Sequence, residues 1–489
     1  MLNLLQSFLS ERTFQVSIGG HMSGEYPLEN GVQQGTVLSM RLFLVAMQPI
    51  FRVLPVGVEI LVYAADILLV VQGQKDKAYT ENCKLRLKLW ISGRRAPNAR
   101  REPEKQITID RTAIPKTNRL RILGVTLDRT LTFKPHCTAV KKACDSRLRI
   151  LQMIGTKLPR GNRSKLLQVG SALVTSKLTY GVGLVRRGGP DTLQTLAPVY
   201  NKMVRYASGA FVTSPIISVM AEAGTLPFEL LAVQIIARMA IRILSKNSNN
   251  STLPLIRRAS DRVHDLTRTA FPAIGQLVRQ SDRVWHARKP SIVWDVKRSV
   301  RAGDPLDRVR PVVQQLLSTR FHRSSVVYTD GSKCEDTIGA AFYSTGLAGI
   351  FSLPEACSIF SAEAYALKKA VSIPNVGSEI VVLTDSASCL LALESGKSKH
   401  PWIQEVEEKV RNKRVRFCWI PGHAGVNGNT EADRLANEAR RQPAIDMPIP
   451  GEDALRAVKQ AIRLRWDHQW HETRDSKLRE VKYDTKRPR

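Results

Sequence analysis

Four carboxylates in the last third of the chain, Asp330, Glu363, Asp385 and Asp433, stand where acids can do chemistry. The local pattern predicts a strand over 326–329 with Asp330 just past its end, and a helix capped by Ser361 with Glu363 in its first turn. It also predicts a strand over 380–384 that ends at Asp385, and a last helix over 430–440 that carries Asp433. Strand ends and helix starts can converge in space although they are far apart in sequence. Acids gathered in this way suit phosphodiester hydrolysis, which needs a more acidic water and a neutralised developing charge; two hard cations on carboxylate oxygens supply both. Without a cation, clustered carboxylates raise one another's pKa, so the group is costly unless something positive resolves it. Taken singly, each acid is more simply a helix cap or a solvated side chain, and only the four together point to a site.

The elements that must position them follow from periodicity. Strands are expected at 326–329, 339–344, 349–353, 380–384 and 415–420, and helices from 361 to about 373, from 386 to about 393, and over 430–440. The first helix must stop before Pro374, which cannot continue it and restricts the residue before it. This order describes an α/β layer arrangement with a mixed sheet.

The segments around the acids are YTDGS at 328–332, SAEA at 361–364, LTDS at 383–386 and HAGVNGNTEAD at 423–433, in that order. Together they resemble the type 1 ribonuclease H family over residues 322–442. The resemblance implies a ribonuclease H-like, five-stranded mixed sheet with helices. In it the residues matching Asp330, Glu363, Asp385 and Asp433 bind two Mg²⁺ ions, with Mn²⁺ as a substitute, and cut the RNA strand of an RNA–DNA hybrid. His423 matches a loop histidine credited with proton transfer or product departure, a role open to a side chain that titrates near neutrality. Such a site distinguishes RNA by its 2′-hydroxyl, and Gly331, Ser332 and Asn429 are candidate contacts; each is equally an ordinary turn or cap residue. Thr430 departs from the family pattern, which often has glutamate there.

The N-terminal part carries GVQQGTVLS at 31–39, YAAD at 63–66 and LGVTLD at 123–128. These resemble the template-gripping, YADD and closing-hairpin segments of the reverse transcriptases of non-LTR retrotransposons, which implies a partial palm followed by a helical thumb-like region. Polymerisation takes its metals from the YADD carboxylates and from an earlier palm strand. Here Ala65 stands at the first aspartate position, only Asp66 remains, and the sequence offers no counterpart of the earlier strand. Gln33 and Met40 stand where the family usually has proline. A polymerase that cannot extend a primer is expected.

The chain has 489 residues and a formal charge of +31, an excess that points to a polyanion, with nucleic acid ahead of an anionic membrane surface. The charge concentrates in 94–101, 257–310 and 463–489, whereas 324–441 is close to neutral. Seven cysteines without a CxxC pair read as reduced thiols of an intracellular protein, nuclear or cytoplasmic. Residues 53–71 are apolar, but Glu59 and Asp66 favour buried strands over a membrane span. Four parts are expected: a partial palm (1–138), a basic helical region (139–318), the ribonuclease H-like domain (322–442) and a basic C-terminal helix or tail (443–489). Trp466 and Trp470 in that tail either stack on nucleic acid or pack on the nuclease. No small-molecule cofactor is expected, and the second reading of the whole is a nucleic-acid-binding remnant without activity.

Overall fold

Short apolar runs between turn residues favour hairpins, and the computed structural model forms them over Met1–Pro135, the first of two units into which the chain divides. The structure describes residues 2–28, 31, 36–53, 58–63, 66–71, 108–109, 112–113, 117–157, 163–185, 190–246, 277–278, 289–300, 306–374, 379–423, 425–473 and 477–485. The apolar stretch 53–71 holds two strands, Val58–Tyr63 and Asp66–Val71, paired antiparallel with Tyr63 opposite Asp66. Arg119–Ile122 returns as Val125–Asp128 through Leu123 at φ 46° and Gly124 at φ 80°, a two-residue turn in which both residues are left-handed and glycine takes the second place. Residues 32–35, 64–65, 94–104 and 247–252 lie outside the described residues.

The second unit begins with helices: α1 (Lys134–Lys157), α2 (Arg163–Gly170), α3 (Ala197–Ser208), α4 (Ile216–Ala223) and α5 (Phe228–Leu244). The apolar spacing that predicts them also fills their core; Val199, Met203 and Val204 of α3 are all nearly inaccessible. Among the described residues no single helix is long and apolar enough to cross a membrane.

A six-stranded sheet follows, where five strands were expected. Its strands are β1 (Ser291–Val293), β2 (Ser325–Cys334), β3 (Thr337–Ser344), β4 (Leu347–Leu353), β5 (Ile380–Thr384) and β6 (Val415–Trp419), in the spatial order β1-β6-β5-β2-β3-β4. The pairs among β1, β6, β5 and β2 are parallel, and β3 and β4 add antiparallel. The extra strand is β1, which pairs Ile292 with Phe417 on β6. Three residues are too few to show a period, which is why the sequence pattern does not reveal it. All five residues of β5 are buried, as expected of a central strand covered on both faces.

Two short helices bring the preceding chain onto this sheet: α6 (Asp295–Ser299) and α7 (Leu306–Arg320). Val293, Val296, Val309, Val313 and Phe321 share one apolar cluster with Val381, Leu383 and Cys418 of the sheet. Pro311 lies inside α7, where apolar residues at 309, 313, 316 and 317 hold a helix on the sheet face.

The remaining helices are α8 (Ile359–Ala370), α9 (Ala387–Ser395), α10 (Pro401–Lys409), α11 (Asn427–Ala439) and α12 (Gly451–Glu472). Ser358, not Ser361, caps α8, by accepting a hydrogen bond from the Ser361 amide at 3.1 Å. Glu363 therefore lies in the second turn. Along α12 every third or fourth residue is buried, including Ile462, Trp466 and Trp470, and the helix packs against α5. Its two tryptophans are 1% and 0% exposed, so neither is available to stack on a nucleic-acid base.

Candidate active site

The parallel pairing of β2 and β5 sets two of the acids side by side. Thr329 is in register with Thr384, so Asp330 and Asp385 follow as neighbours. Asp385 stands just past the end of β5, but Asp330, expected just past its strand, lies inside β2, which continues to Cys334 because β3 pairs with it there, Asp330 opposite Ala341. Three hydrogen bonds hold the backbone around Asp385: its carbonyl accepts from the Trp419 indole at 3.1 Å and from the Ala387 amide at 2.8 Å, and the Ser386 amide donates to Thr384 Oγ1 at 3.2 Å. Glu363 reaches the two aspartates from α8 because Gly331 lets that helix approach. A Cβ on Gly331 would stand 2.8 Å from the Glu363 nitrogen. Gly422 makes room in the same way, since its Cβ would meet Asp385 Oδ2 at 2.5 Å.

Carboxylate oxygens of Asp330, Glu363 and Asp385 lie within 4.8 Å of one another. Asp433, on α11, lies near enough for its charge to act on Asp330, and its Oδ2 stands 3.9 Å from His423 Nδ1. All five candidates line one cavity of about 440 Å³, together with Gly331, Ser332, Lys333, Ile359, Asn429 and Asn437. His423 is at its rim, with its side chain 86% exposed and its backbone at φ 54°, a left-handed conformation uncommon for a residue with a Cβ.

Burial and mutual repulsion dominate the electrostatics. Asp330 is pushed up to about 8 by burial and then by the charges of Asp385 and Asp433, against one hydrogen bond from the Gly331 amide. Glu363 is raised well above the usual carboxylate range by burial, then by Asp330 and Asp385. Burial also raises Asp385, although the nearby His423 favours its charged form.

These residues suit a hard divalent cation. Every donor is oxygen, the acids converge, and Glu363 Oε2 is buried with no hydrogen-bond partner among the described residues, an oxygen that a cation would satisfy. Asn429 is also on the cavity wall, and its Oδ1 is buried with no hydrogen-bond partner among the described residues. The sequence pattern does not single out Lys333, Ile359 and Asn437 on the cavity wall, nor Trp419, Gly422 and Gly428. For the glycines a signal exists only in three dimensions: a Cβ on Gly428 would stand 2.1 Å from the Tyr328 ring. The Ser332 hydroxyl is the donor in a 2.7 Å bond to Asn437 Oδ1.

Residues 322–441 match the family model described as RNase H. Among curated proteins the chain is similar to the RNA-directed DNA polymerase from mobile element jockey of Drosophila melanogaster, 27% identical over 229 residues that cover 42% of this chain and 25% of that protein. It is also similar to the probable RNA-directed DNA polymerase from transposon X-element of the same organism, 24% identical over 223 residues, again 42% of this chain and 25% of that protein. The chain thus matches a quarter of the length of these relatives, at distant homology.

Proposed function

We propose, from the premise that residues 322–441 are an RNase H domain, that this chain hydrolyses the RNA strand of RNA–DNA hybrids endonucleolytically. The observation that carries the proposal is the meeting of Asp330, Glu363 and Asp385 with a buried Glu363 oxygen that no donor among the described residues satisfies. With Asp433 they would hold two Mg²⁺ ions, or Mn²⁺ in their place, which acidify the attacking water and neutralise charge on the phosphoryl oxygens. His423, exposed at the rim, is placed to exchange protons between the site and solvent. Gly331, Ser332 and Asn429, all on the cavity wall, are the proposed contacts that read the 2′-hydroxyl of the RNA strand. The basic segments outside the domain would supply the affinity for phosphates. An intracellular setting is proposed with this activity, in line with the free thiols.

The test is cleavage of a uniform RNA–DNA duplex in Mg²⁺ by the full chain and by Asp385→Asn. Wild type should cut, and the variant should be slower by at least about a hundredfold while still binding the duplex. A wild-type chain that binds the duplex without cutting it would support the second reading, a binding remnant.

The relatives' names make a polymerase origin the natural proposal for the N-terminal part, as a partial palm and thumb. Ala65 in place of an aspartate removes a metal ligand from it. No nucleotide incorporation is therefore expected on a primed RNA template, and measurable extension would refute this part of the reading.

A further inference from the structure

Asn437 lies one helical turn beyond Asp433 on α11 and lines the same cavity. Its amide is bonded on both sides. Nδ2 donates to the Asp433 carbonyl at 2.9 Å and to Asp433 Oδ1 at 3.0 Å. Oδ1 accepts from Ser332 Oγ at 2.7 Å and from Arg440 Nη2 at 2.7 Å. A guanidinium donates and never accepts, so the Asn437 atom facing Arg440 must be the oxygen. That fixes the amide, since the flipped orientation would set two donors against each other at Arg440 and two acceptors against each other at Asp433.

The same oxygen decides what Ser332 does. A hydroxyl has one proton, and Ser332 gives it to Asn437 Oδ1, so what remains for the cavity is lone pairs. An oxygen in that state accepts from a hydroxyl and repels a phosphate oxygen. Asp433 in turn needs holding: its side chain is 32% exposed on a helix surface, and Asn437 takes Oδ1 while Oδ2 faces His423.

We propose that Asn437 is a positioning residue with two outputs: it orients the Asp433 carboxylate toward a divalent cation, and it sets the Ser332 hydroxyl as an acceptor for the 2′-hydroxyl of the RNA strand. The proposal rests on the hydrolytic reading of the site for its cation and its ribose. It separates two kinetic effects. Loss of Asn437 weakens both the cation and the substrate, whereas loss of the Ser332 hydroxyl leaves the cation alone, because Arg440 still holds the amide, and weakens only the substrate.

The experiment uses the full chain with Mg²⁺ alone as the probe in calorimetric titration, followed by cleavage of an RNA–DNA duplex across Mg²⁺ concentration. Asn437→Ala introduces a good helix former, and Asn437→Leu keeps the branched shape at Cγ without a polar atom, so the pair guards against a folding defect. Both should bind Mg²⁺ at least about tenfold more weakly, need correspondingly more Mg²⁺ for half-maximal cleavage and, because Ser332 loses the acceptor that orients its proton, raise KM for the duplex several-fold at saturating Mg²⁺. Ser332→Ala should titrate Mg²⁺ like wild type and raise KM several-fold. Wild-type Mg²⁺ affinity in both Asn437 variants overturns the proposal, and so does a Ser332→Ala enzyme with unchanged KM. A wild-type chain that takes up no Mg²⁺ is a separate result, which removes the hydrolytic reading and this inference with it.

Discussion

At the residue scale the site behaves as a store of repulsion. Asp330, pushed up to about 8 by burial and by Asp385 and Asp433, keeps a proton in the folded chain at pH values where the unfolded chain has already released it. The folded state then binds more protons than the unfolded one, so metal-free stability falls as pH rises from the ordinary carboxylate range to about 8 and levels off above it. Glu363, raised in the same direction, adds to this slope. His400 works against it lower down. Burial lowers its pKa to about 4, so the unfolded chain takes up that proton first as pH falls below about 6.5, and acid destabilises the fold there. The carboxylates should therefore show most clearly between pH 6.5 and 8.5. Thermal unfolding in EDTA should give a Tm lower by on the order of a few degrees at pH 8.5 than at pH 6.5, and Mg²⁺ at pH 8.5 should restore it. Glu363→Gln, which removes a charge that burial disfavours, should raise the metal-free Tm at pH 8.5 and blunt the response to Mg²⁺. A Tm indifferent to both pH and Mg²⁺ would mean that the acids are neither coupled nor cation-binding.

At the element scale, helices are set by how closely backbones approach. Gly339 on β3 faces α11 so tightly that a Cβ would stand 2.0 Å from the Ala436 carbonyl oxygen, a backbone atom that cannot swing aside. Gly339→Ala must therefore push α11 away from the sheet. It should destabilise by about 1–3 kcal/mol in a denaturant titration and, because α11 carries Asp433 and Asn437, raise the Mg²⁺ requirement for cleavage. A variant with wild-type stability and Mg²⁺ dependence would show that α11 has slack. This dependence on approach also explains what the sequence makes legible. The acids and the strands that carry or precede them are readable because apolar runs and motif order are local properties, whereas the register of Thr329 with Thr384 is seen only in the fold. The interactions that finish the site are not local. Gly331, Gly422 and Gly428 look like turn residues until the partner across the gap is known, and Asn437 looks like a solvated helix residue until Ser332, 105 positions earlier, is found on its oxygen. The cap of α8 departs from expectation for a related reason. SAEA suggests Ser361, but Ser361 Oγ is engaged by buried His400 Nε2 at 2.9 Å and by Asp453, and Ser358 takes the capping position instead.

At the scale of the whole second unit, α12 joins parts that the sequence presents separately. Its first turn reaches α8 through the buried Asp453–Ser361 hydrogen bond, and Arg456 donates to the Ala356 carbonyl at 2.8 Å. Its length lies along α5, with Gly451 against Ile241 and Ser245. The tail's two chemistries are thereby divided between two faces. The tryptophans face inward, Trp470 donating from Nε1 to the Lys482 carbonyl at 3.0 Å, while Lys459 and Arg465 are exposed. If the tail contributes to nucleic-acid affinity, it must do so by charge, and the two faces should respond to different measurements. Trp466→Ala should lower stability by about 3–5 kcal/mol, as expected for emptying a fully buried aromatic site. At temperatures where that variant remains folded, its duplex affinity should match wild type. Lys459→Gln with Arg465→Gln should leave stability nearly unchanged and weaken duplex binding uniformly across sequences. It should also lower the slope of log affinity against log salt by about one for each phosphate that is no longer neutralised. Equal salt slopes in wild type and the double variant would place the phosphate-binding cations elsewhere in the chain, and a folded Trp466→Ala chain with selectively weakened binding would return the tryptophans to the nucleic-acid surface.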